Sequence, residues 1–478
     1  MINISKKQYV LSSAKISPDN MQEYKIGKNY LYADEQLNIS ECDTADGKKV
    51  FLLGNAFCTD KEGKRAEDDI AASNTDDILS ATVFWTGRWS LITEVELITD
   101  ASALMGAFYG EKDGNWFISS SPALIAEIME TSVKDKVKSD GINWQILPYS
   151  VITNVKALLC TQKISFKGEN IQILRKDWIC DRRALSTEEK CRMIADILVT
   201  ASKNIHNYSG KKILLALTGG KDSRLTFSAL IKSGVPFASY TAEHSNISHS
   251  DKTAPVEIAK RFGIKHTYIR KSILNKDKLS DYYRFCAGNS NGADAEFYAQ
   301  SQFLGFAEDT LIIRSGLFEA GQSYARSYTT PDIAGFTKGM MSYYGELRNS
   351  DKQRAAFEEW LGIVKEYSID YIDIRDRFYI EQRVGGWAAA IEQSLDISDF
   401  TSIQIANCAE LLSILLSCND EERKSLALSY ETIKLLEPNA LTIDINRSSF
   451  SDKLLYIKNI VKNPLRKWKK FKNKHKRK

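Results

Sequence analysis

Proline is scarce in this sequence, cysteine is scattered, and no apolar run is long enough for a membrane helix. Only 8 prolines fall in 478 residues, which argues against long extended linkers. The 8 cysteines (Cys42, Cys58, Cys160, Cys180, Cys191, Cys286, Cys408 and Cys418) include no Cys-x-x-Cys pair. In a chain of this size that excludes a disulfide framework and a zinc ribbon. His244, His249 and His266 lie close together, but their spacing matches no metal motif. No stretch approaches the roughly 18 uninterrupted apolar residues of a membrane helix. The opening Met1 to Lys7 has no apolar run behind it and does not read as a signal peptide. A cytoplasmic protein is expected. The net charge of +4 is small for this length, so the body carries no strong nucleic-acid signal.

What is present divides into three. Residues 1 to about 175 hold short β-branched and aromatic runs, among them Val50–Gly54, Thr82–Trp85, Trp89–Ile92, Glu96–Thr99 and Trp116–Ile118. Turn residues such as Lys112-Asp113-Gly114-Asn115 separate them, predicting a layered β-sheet domain. Ser121-Pro122 opens a predicted helix with proline in its first turn. From about 185 the pattern changes. Ser186 to Glu189 is a capping-type helix start. After it, strand-like Ile213–Leu217, Phe237–Thr241 and His266–Ile269 alternate with helical stretches. Strand, helix, strand predicts a parallel sheet with helical crossovers. Beyond about 335 the chain reads as mainly helical. The expected fold class is therefore α/β, with domains at 1–175 and 185–450 and a basic tail at 451–478.

The chemistry concentrates after Ile213–Leu217. Thr218-Gly219-Gly220-Lys221-Asp222-Ser223 ends a strand and opens a helix. Two glycines let the backbone turn sharply and approach an anion, and the helix N-terminus presents free N–H groups. Thr218 and Ser223 add hydroxyls. Asp222 would repel a bare phosphate and makes sense as a Mg²⁺ ligand. The Walker pattern is absent, so this is not the common P-loop.

Leu217 to Arg224 resembles the pyrophosphate loop of the asparagine-synthetase-type ATP pyrophosphatases, usually written Ser-Gly-Gly-x-Asp-Ser. The resemblance implies that the loop holds the β- and γ-phosphates of ATP, with Asp222 on Mg²⁺, while a carboxylate is activated as an acyl-adenylate. Asp251 with Gly263-Ile264-Lys265-His266 is similar to the family's acidic residue and strand entry. Leu311–Gly316 stands where the family has its second nucleotide strand, so Ser315 and Gly316 become adenylate neighbours by resemblance. The family's following Ser-Gly-Glu-Gly-x-Asp-Glu segment is altered: Leu317 replaces the catalytic Glu, and Glu319 lies one position short of the metal-binding Asp. The implied sites are Leu217, Thr218, Gly219, Gly220, Asp222, Ser223, Ser315 and Gly316 for the nucleotide. Asp222 and Glu319 are implied for Mg²⁺, and Asp222, Glu319 and Arg383 for catalysis.

Gly87–Ile92, Leu97–Asp100, Gly106–Tyr109 and Phe117–Leu124 resemble the family's Ntn-hydrolase-like glutaminase domain, and the second domain its adenine-nucleotide α-hydrolase-like fold. That glutaminase works through a cysteine exposed when Met1 is removed, whereas residue 2 here is Ile2. Cys42 and Cys58 are expected at structural positions.

Other features leave alternatives open. In Tyr379–Trp387, Glu381 and Arg383 either face the site or form a helix-surface pair. Glu319 with Arg326, among Tyr324 and Tyr328, either binds a substrate carboxylate or sugar or simply packs. The tail from Asn463 to Lys478 is strongly basic, with Trp468 and Phe471 at helical spacing. It suits an anionic membrane surface. The expected partners are a small-molecule or glycan carboxylate and an amine donor. The rival expectations are a tRNA-modifying pyrophosphatase and an inactive relative.

Overall fold

A computed structural model describes residues 2–133, 137, 141–244, 247–270, 276–290 and 306–445. The basic tail at 451–478 lies outside the described residues.

Two six-stranded antiparallel sheets are built from residues between 9 and 175. One runs Lys156–Ala157, Phe108–Lys112, Asn115–Ser119, Tyr9–Ser12, Asn29–Asp34 and Met21–Ile26 in spatial order. The other runs Gln172–Arg175, Gln162–Ser165, Glu96–Thr99, Trp85–Ile92, Lys49–Cys58 and Ile39–Asp43. Tyr9, Leu11, Leu31, Phe51, Leu53, Ile92, Leu97 and Ile118 pack between them, as alternation along paired strands requires. The expected helix after Ser121 is present: Pro122–Ile128 is capped by the Ser121 side chain, which accepts from the Leu124 N–H. One expectation fails. Thr82–Phe84 is a 3₁₀ turn, and the strand begins only at Trp85.

The third sheet has five strands in the order His266–Ile269, Phe237–Ala242, Lys212–Ala216, Thr310–Arg314 and Thr401–Gln404. All four pairings are parallel. Its outermost strand, Thr401–Gln404, lies within the stretch expected to be mainly helical. The helix Thr187–Ser209 starts on the expected Ser186–Glu189 capping box and ends on Gly210, whose φ of 62° suits glycine. The expected α/β class, layered β first and parallel sheet second, is the fold found.

The sheet order reverses direction at Lys212–Ala216. From there the chain adds strands first toward His266–Ile269 and then, on the other side, Thr310–Arg314 and Thr401–Gln404. A crevice opens outside the carboxyl ends of strands at such a reversal. Ile213, Leu215, Leu217, Leu311, Ile313 and Ile403 are buried around these strands, each contributing about 1.5–3 kcal/mol of hydrophobic stabilisation.

The layered and parallel parts are tied by buried polar contacts. Arg88 pairs with Asp396, donating from Nη1 at 2.7 Å and also from Nη2. Gln382 closes a reciprocal pair with the Leu147 backbone, at 2.9 Å each way. Thr86 donates to the Ile405 carbonyl at 2.6 Å. Asn407 reaches Gly87 O and Asp100 Oδ1.

Candidate active site

The two segments singled out in the sequence follow the two strands that flank the reversal. Leu217 ends the first strand, buried, with its N–H on the Tyr240 carbonyl. Thr218 is exposed, and the helix Lys221–Ser233 starts on Gly220 with no side-chain cap. Its first-turn N–H groups are therefore left for a ligand or for the loop itself. Several loop groups are satisfied internally. Thr218 N–H donates to Ser223 Oγ at 3.0 Å, Gly220 N–H to Thr218 Oγ1 at 3.2 Å, and Gly219 N–H to Asp251 Oδ1 at 2.8 Å. Asp251 is itself fixed by Ser248, whose hydroxyl donates at 2.8 Å. Lys221 pairs with Asp222.

Gly219 has a specific steric reason. A Cβ there would stand 2.4 Å from Ser250 Oγ and 2.9 Å from the Ser250 carbonyl. Only glycine lets the loop lie this close to the Ser250–Asp251 backbone.

After Thr310–Arg314, Ser315 is buried and Gly316 is exposed. Ser315 Oγ lies 2.8 Å from Thr226 Oγ1, one helical turn beyond Asp222, which joins the two segments. Gly316 N–H donates to Gln404 Oε1 at 2.8 Å. Gln404 is held by Glu392, which also takes Arg314. Sequence reading missed Thr226, although its place one turn past Asp222 was visible. It missed Gln404 because the strand carrying it went unrecognised.

Leu317, where the resemblance placed a catalytic Glu, is 1% exposed and belongs to the main core. Glu319 is exposed, and Tyr379 Oη donates to its Oε2 at 3.3 Å. Burial pushes the Tyr379 phenol well above its usual range, and Glu319 adds to this. The other charges acting on that phenol are Arg383 and Asp222. Of the predicted catalytic residues, Glu319 touches this buried hydroxyl, which the sequence had offered only as packing. Tyr379–Ala388 forms a π-helix, a rare geometry frequent at functional sites and without a sequence signal.

Glu381 and Arg326 are both spent inside the fold, and the surface pair of Glu381 with Arg383 is not formed. Glu381 is fully buried, accepting from Trp360 Nε1 at 2.6 Å and Arg377 Nε at 2.9 Å, and from Thr161. It braces the core and does not face the crevice. Arg326 spends its guanidinium on Asp376, from Nε at 3.0 Å and Nη2 at 2.5 Å. Arg383 differs. It lies over the Trp387 ring at 3.5 Å, gives one N–H to Asn143 Oδ1 at 3.3 Å, and forms no ion pair among the described residues.

In the layered part, Ile2 packs with Tyr282, Phe285 and Ile397. Burial pushes the Cys42 thiol up to about 11 and the Cys58 thiol higher still. A raised thiol holds little nucleophilic thiolate at neutral pH. Cys58, Asp60 and Asp69 cluster closely enough for a metal, but Lys64 pairs with both carboxylates, at 2.7 and 2.6 Å.

For Mg²⁺, the fit is that of a hard cation held by one or two carboxylates and completed by phosphate oxygens. Asp222, in the first turn of the loop helix, and Glu319, exposed after the second strand, are the carboxylates that would hold it. Among the described residues, no helix is long and apolar enough to cross a membrane.

No family model matches the chain, and no curated protein matches it. Among solved structures it is similar to NMN synthetase from Francisella tularensis, at 19% identity and TM-score 0.20, over 29% of this chain and 59% of that one. It is similar to glutamine-dependent NAD+ synthetase from Acinetobacter baumannii in complex with adenosine diphosphate, at 21% identity and TM-score 0.21, over 32% of this chain and 31% of that one. A third is glutamine phosphoribosylpyrophosphate amidotransferase from B. subtilis, at 9% identity and TM-score 0.25, over 70% of this chain and 74% of that one. At TM-scores this low these likenesses carry no weight, and fold and site rest on the chain's own geometry.

Proposed function

We propose that this chain is an ATP-dependent, AMP- and pyrophosphate-forming amide ligase, similar to asparagine synthetase but without a glutaminase of its own. The observation that carries the reading is the position of Thr218–Ser223 and Ser315–Gly316 at the ends of the two parallel strands flanking the sheet reversal. The substrate carboxylate oxygen attacks the α-phosphorus of ATP and the α–β bridge breaks. Pyrophosphate leaves onto the loop N–H groups and Ser223. An amine then attacks the acyl carbon of the mixed anhydride and AMP departs. Nucleotide binding exchanges Asp251 for phosphate at the Gly219 N–H, and it draws Lys221 off Asp222. Asp222 and Glu319 would hold Mg²⁺, which would supply charge neutralisation to the phosphates. Glu319 is the carboxylate available for proton transfer, with Tyr379 fixing its position.

The raised thiols support an amine donor that comes from outside the chain. The acceptor is a small-molecule or glycan carboxylate, and the setting is cytoplasmic. ATP–pyrophosphate exchange screened across candidate acids tests the reading: acid-dependent exchange is expected, lost in Asp222→Ala. Tight ATP binding with no exchange for any acid would favour a non-catalytic relative, a reading supported by the buried Leu317. A tRNA-modifying pyrophosphatase would use the same loop, but the basic tail that suggests it lies outside the described residues.

A further inference from the structure

Arg383 differs from five arginines near it in the chain or the fold. Arg314, Arg326, Arg375, Arg377 and Arg423 each pair with a carboxylate, whereas Arg383 pairs with none among the described residues. Its face is covered by Trp387 at 3.5 Å, with Trp144 at 5.6 Å. One N–H is spent on Asn143 Oδ1. A guanidinium held flat by indole rings keeps its charge and its donor fork oriented. A flat, charged fork without a counter-ion matches a planar carboxylate.

The surroundings give that anion a body. Tyr379, on the same π-helix, meets Tyr324 with ring centroids 6.0 Å apart. The Tyr324 hydroxyl lies 2.9 Å from that of Tyr344, and Tyr344 meets Trp144 edge-on at 6.0 Å. An aromatic wall therefore runs from the Glu319 carboxylate to Arg383. Trp144 is seated against Gly386, where a Cβ would come within 2.8 Å of its ring. Asn143 and Trp144 belong to the layered part, between its strands Asn115–Ser119 and Lys156–Ala157.

We infer that Arg383, with Trp387 and the layered part's Asn143 and Trp144, forms the subsite for the acceptor: a carboxylate carried on a ring that lies along the tyrosine wall. This rests on the ligase reading and gives it a substrate class. It also gives the layered part a role that needs no nucleophile, namely completing the acceptor subsite.

The test is calorimetric titration of the full chain with Mg²⁺ and α,β-methylene-ATP present. The probes are benzoate against benzamide, and D-glucuronate against D-glucose. At least one acid should bind at least ten-fold more tightly than its neutral partner, and which acid does so tells an aromatic body from a sugar. Arg383→Met should weaken that acid at least ten-fold and Asn143→Ala about three-fold, with nucleotide affinity changing no more than about three-fold. Arg383→Lys should recover only part, since it restores charge without the fork. Equal binding of acid and neutral partner, no binding of any acid, or indifference to Arg383→Met each overturns the subsite. Loss of nucleotide binding in the wild-type chain would overturn the ligase reading itself.

Discussion

The layered and parallel parts both carry residues that resemble catalytic machinery, and they treat them oppositely. In the layered part every such group is committed. Ile2 lies in an apolar cluster, the Cys42 and Cys58 thiols are raised by burial, and Arg88 is locked to Asp396. Asp100 accepts the N–H groups of Ser102, Leu104 and Met105 together with Asn407. In the parallel part, Thr218, Gly316 and Glu319 are exposed beyond the carboxyl ends of strands, and Arg383 donates to Asn143 and forms no ion pair among the described residues. Commitment of polar groups inside the fold stabilises it, whereas a binding site keeps groups whose partners arrive with the ligand. That contrast supports the parallel part as the seat of the proposed chemistry.

Breaking the commitments should show it. The largest effect is expected from Arg88→Met. It leaves Asp396 buried with Gln8, whose Nε2 donates at 3.0 Å, and with the charge of Lys7 nearby. Removing one partner of a buried pair costs about 3–5 kcal/mol. A clear fall in the thermal midpoint, largely recovered when Asp396→Leu is added, would bear this out; an unchanged midpoint would remove the pair as a clamp between the two parts.

Gly219→Ala should act on the site more than on the fold. The added Cβ meets the Ser250 backbone as well as its hydroxyl, so Ser250→Ala relieves only part of the clash. We expect Mg–ATP affinity to fall at least ten-fold, a loss of about 1.4 kcal/mol or more, in a protein whose far-UV spectrum is unchanged. Native affinity in this variant would mean the loop need not lie against Ser250–Asp251.

A smaller effect is expected on pH. Burial lowers His266 from 6.5 to about 4. Its Nδ1 lies 2.9 Å from Ser239 Oγ, in the strand beside it. Between those values the unfolded chain binds a proton that the native one refuses, so stability falls as pH drops from about 6.5 towards 4. His266→Gln should flatten that part of the stability–pH curve; an unaltered slope would assign the acid sensitivity to other groups. The smallest effect is predicted for Cys42→Ser with Cys58→Ser: no change in ATP–pyrophosphate exchange, and no glutaminase activity before or after. Glutamine hydrolysis lost on these substitutions would reverse the comparison.

Much of this was legible in sequence, for local reasons. The capping box at Ser186–Glu189 and the alternation around Lys212–Ala216 depend on neighbours within a few positions. So does the Gly-Gly turn into a helix. Thr82–Trp85 misled because β-branched and aromatic residues also fit a short turn leading into a strand. The polar Thr401–Gln404 segment, with only Ile403 strongly apolar, gives no strand signal and becomes one only beside Thr310–Arg314. The contact of Glu319 with Tyr379 spans 60 positions, and the roles of Asp222, Glu319 and Arg383 were available only as a resemblance. Glu381 shows the same limit from the other side. Two residues from Arg383, it also carries a charge yet points into the core, since positions two apart on a helix face different ways.

The most direct measurement is a calorimetric titration of the full chain with Mg–ATP, run beside Asp222→Ala. Saturable one-site binding that the substitution weakens at least ten-fold is predicted, since the loop and its carboxylate are the centre of the proposed site. Absence of binding in the wild-type chain, or equal binding in both, would contradict the account.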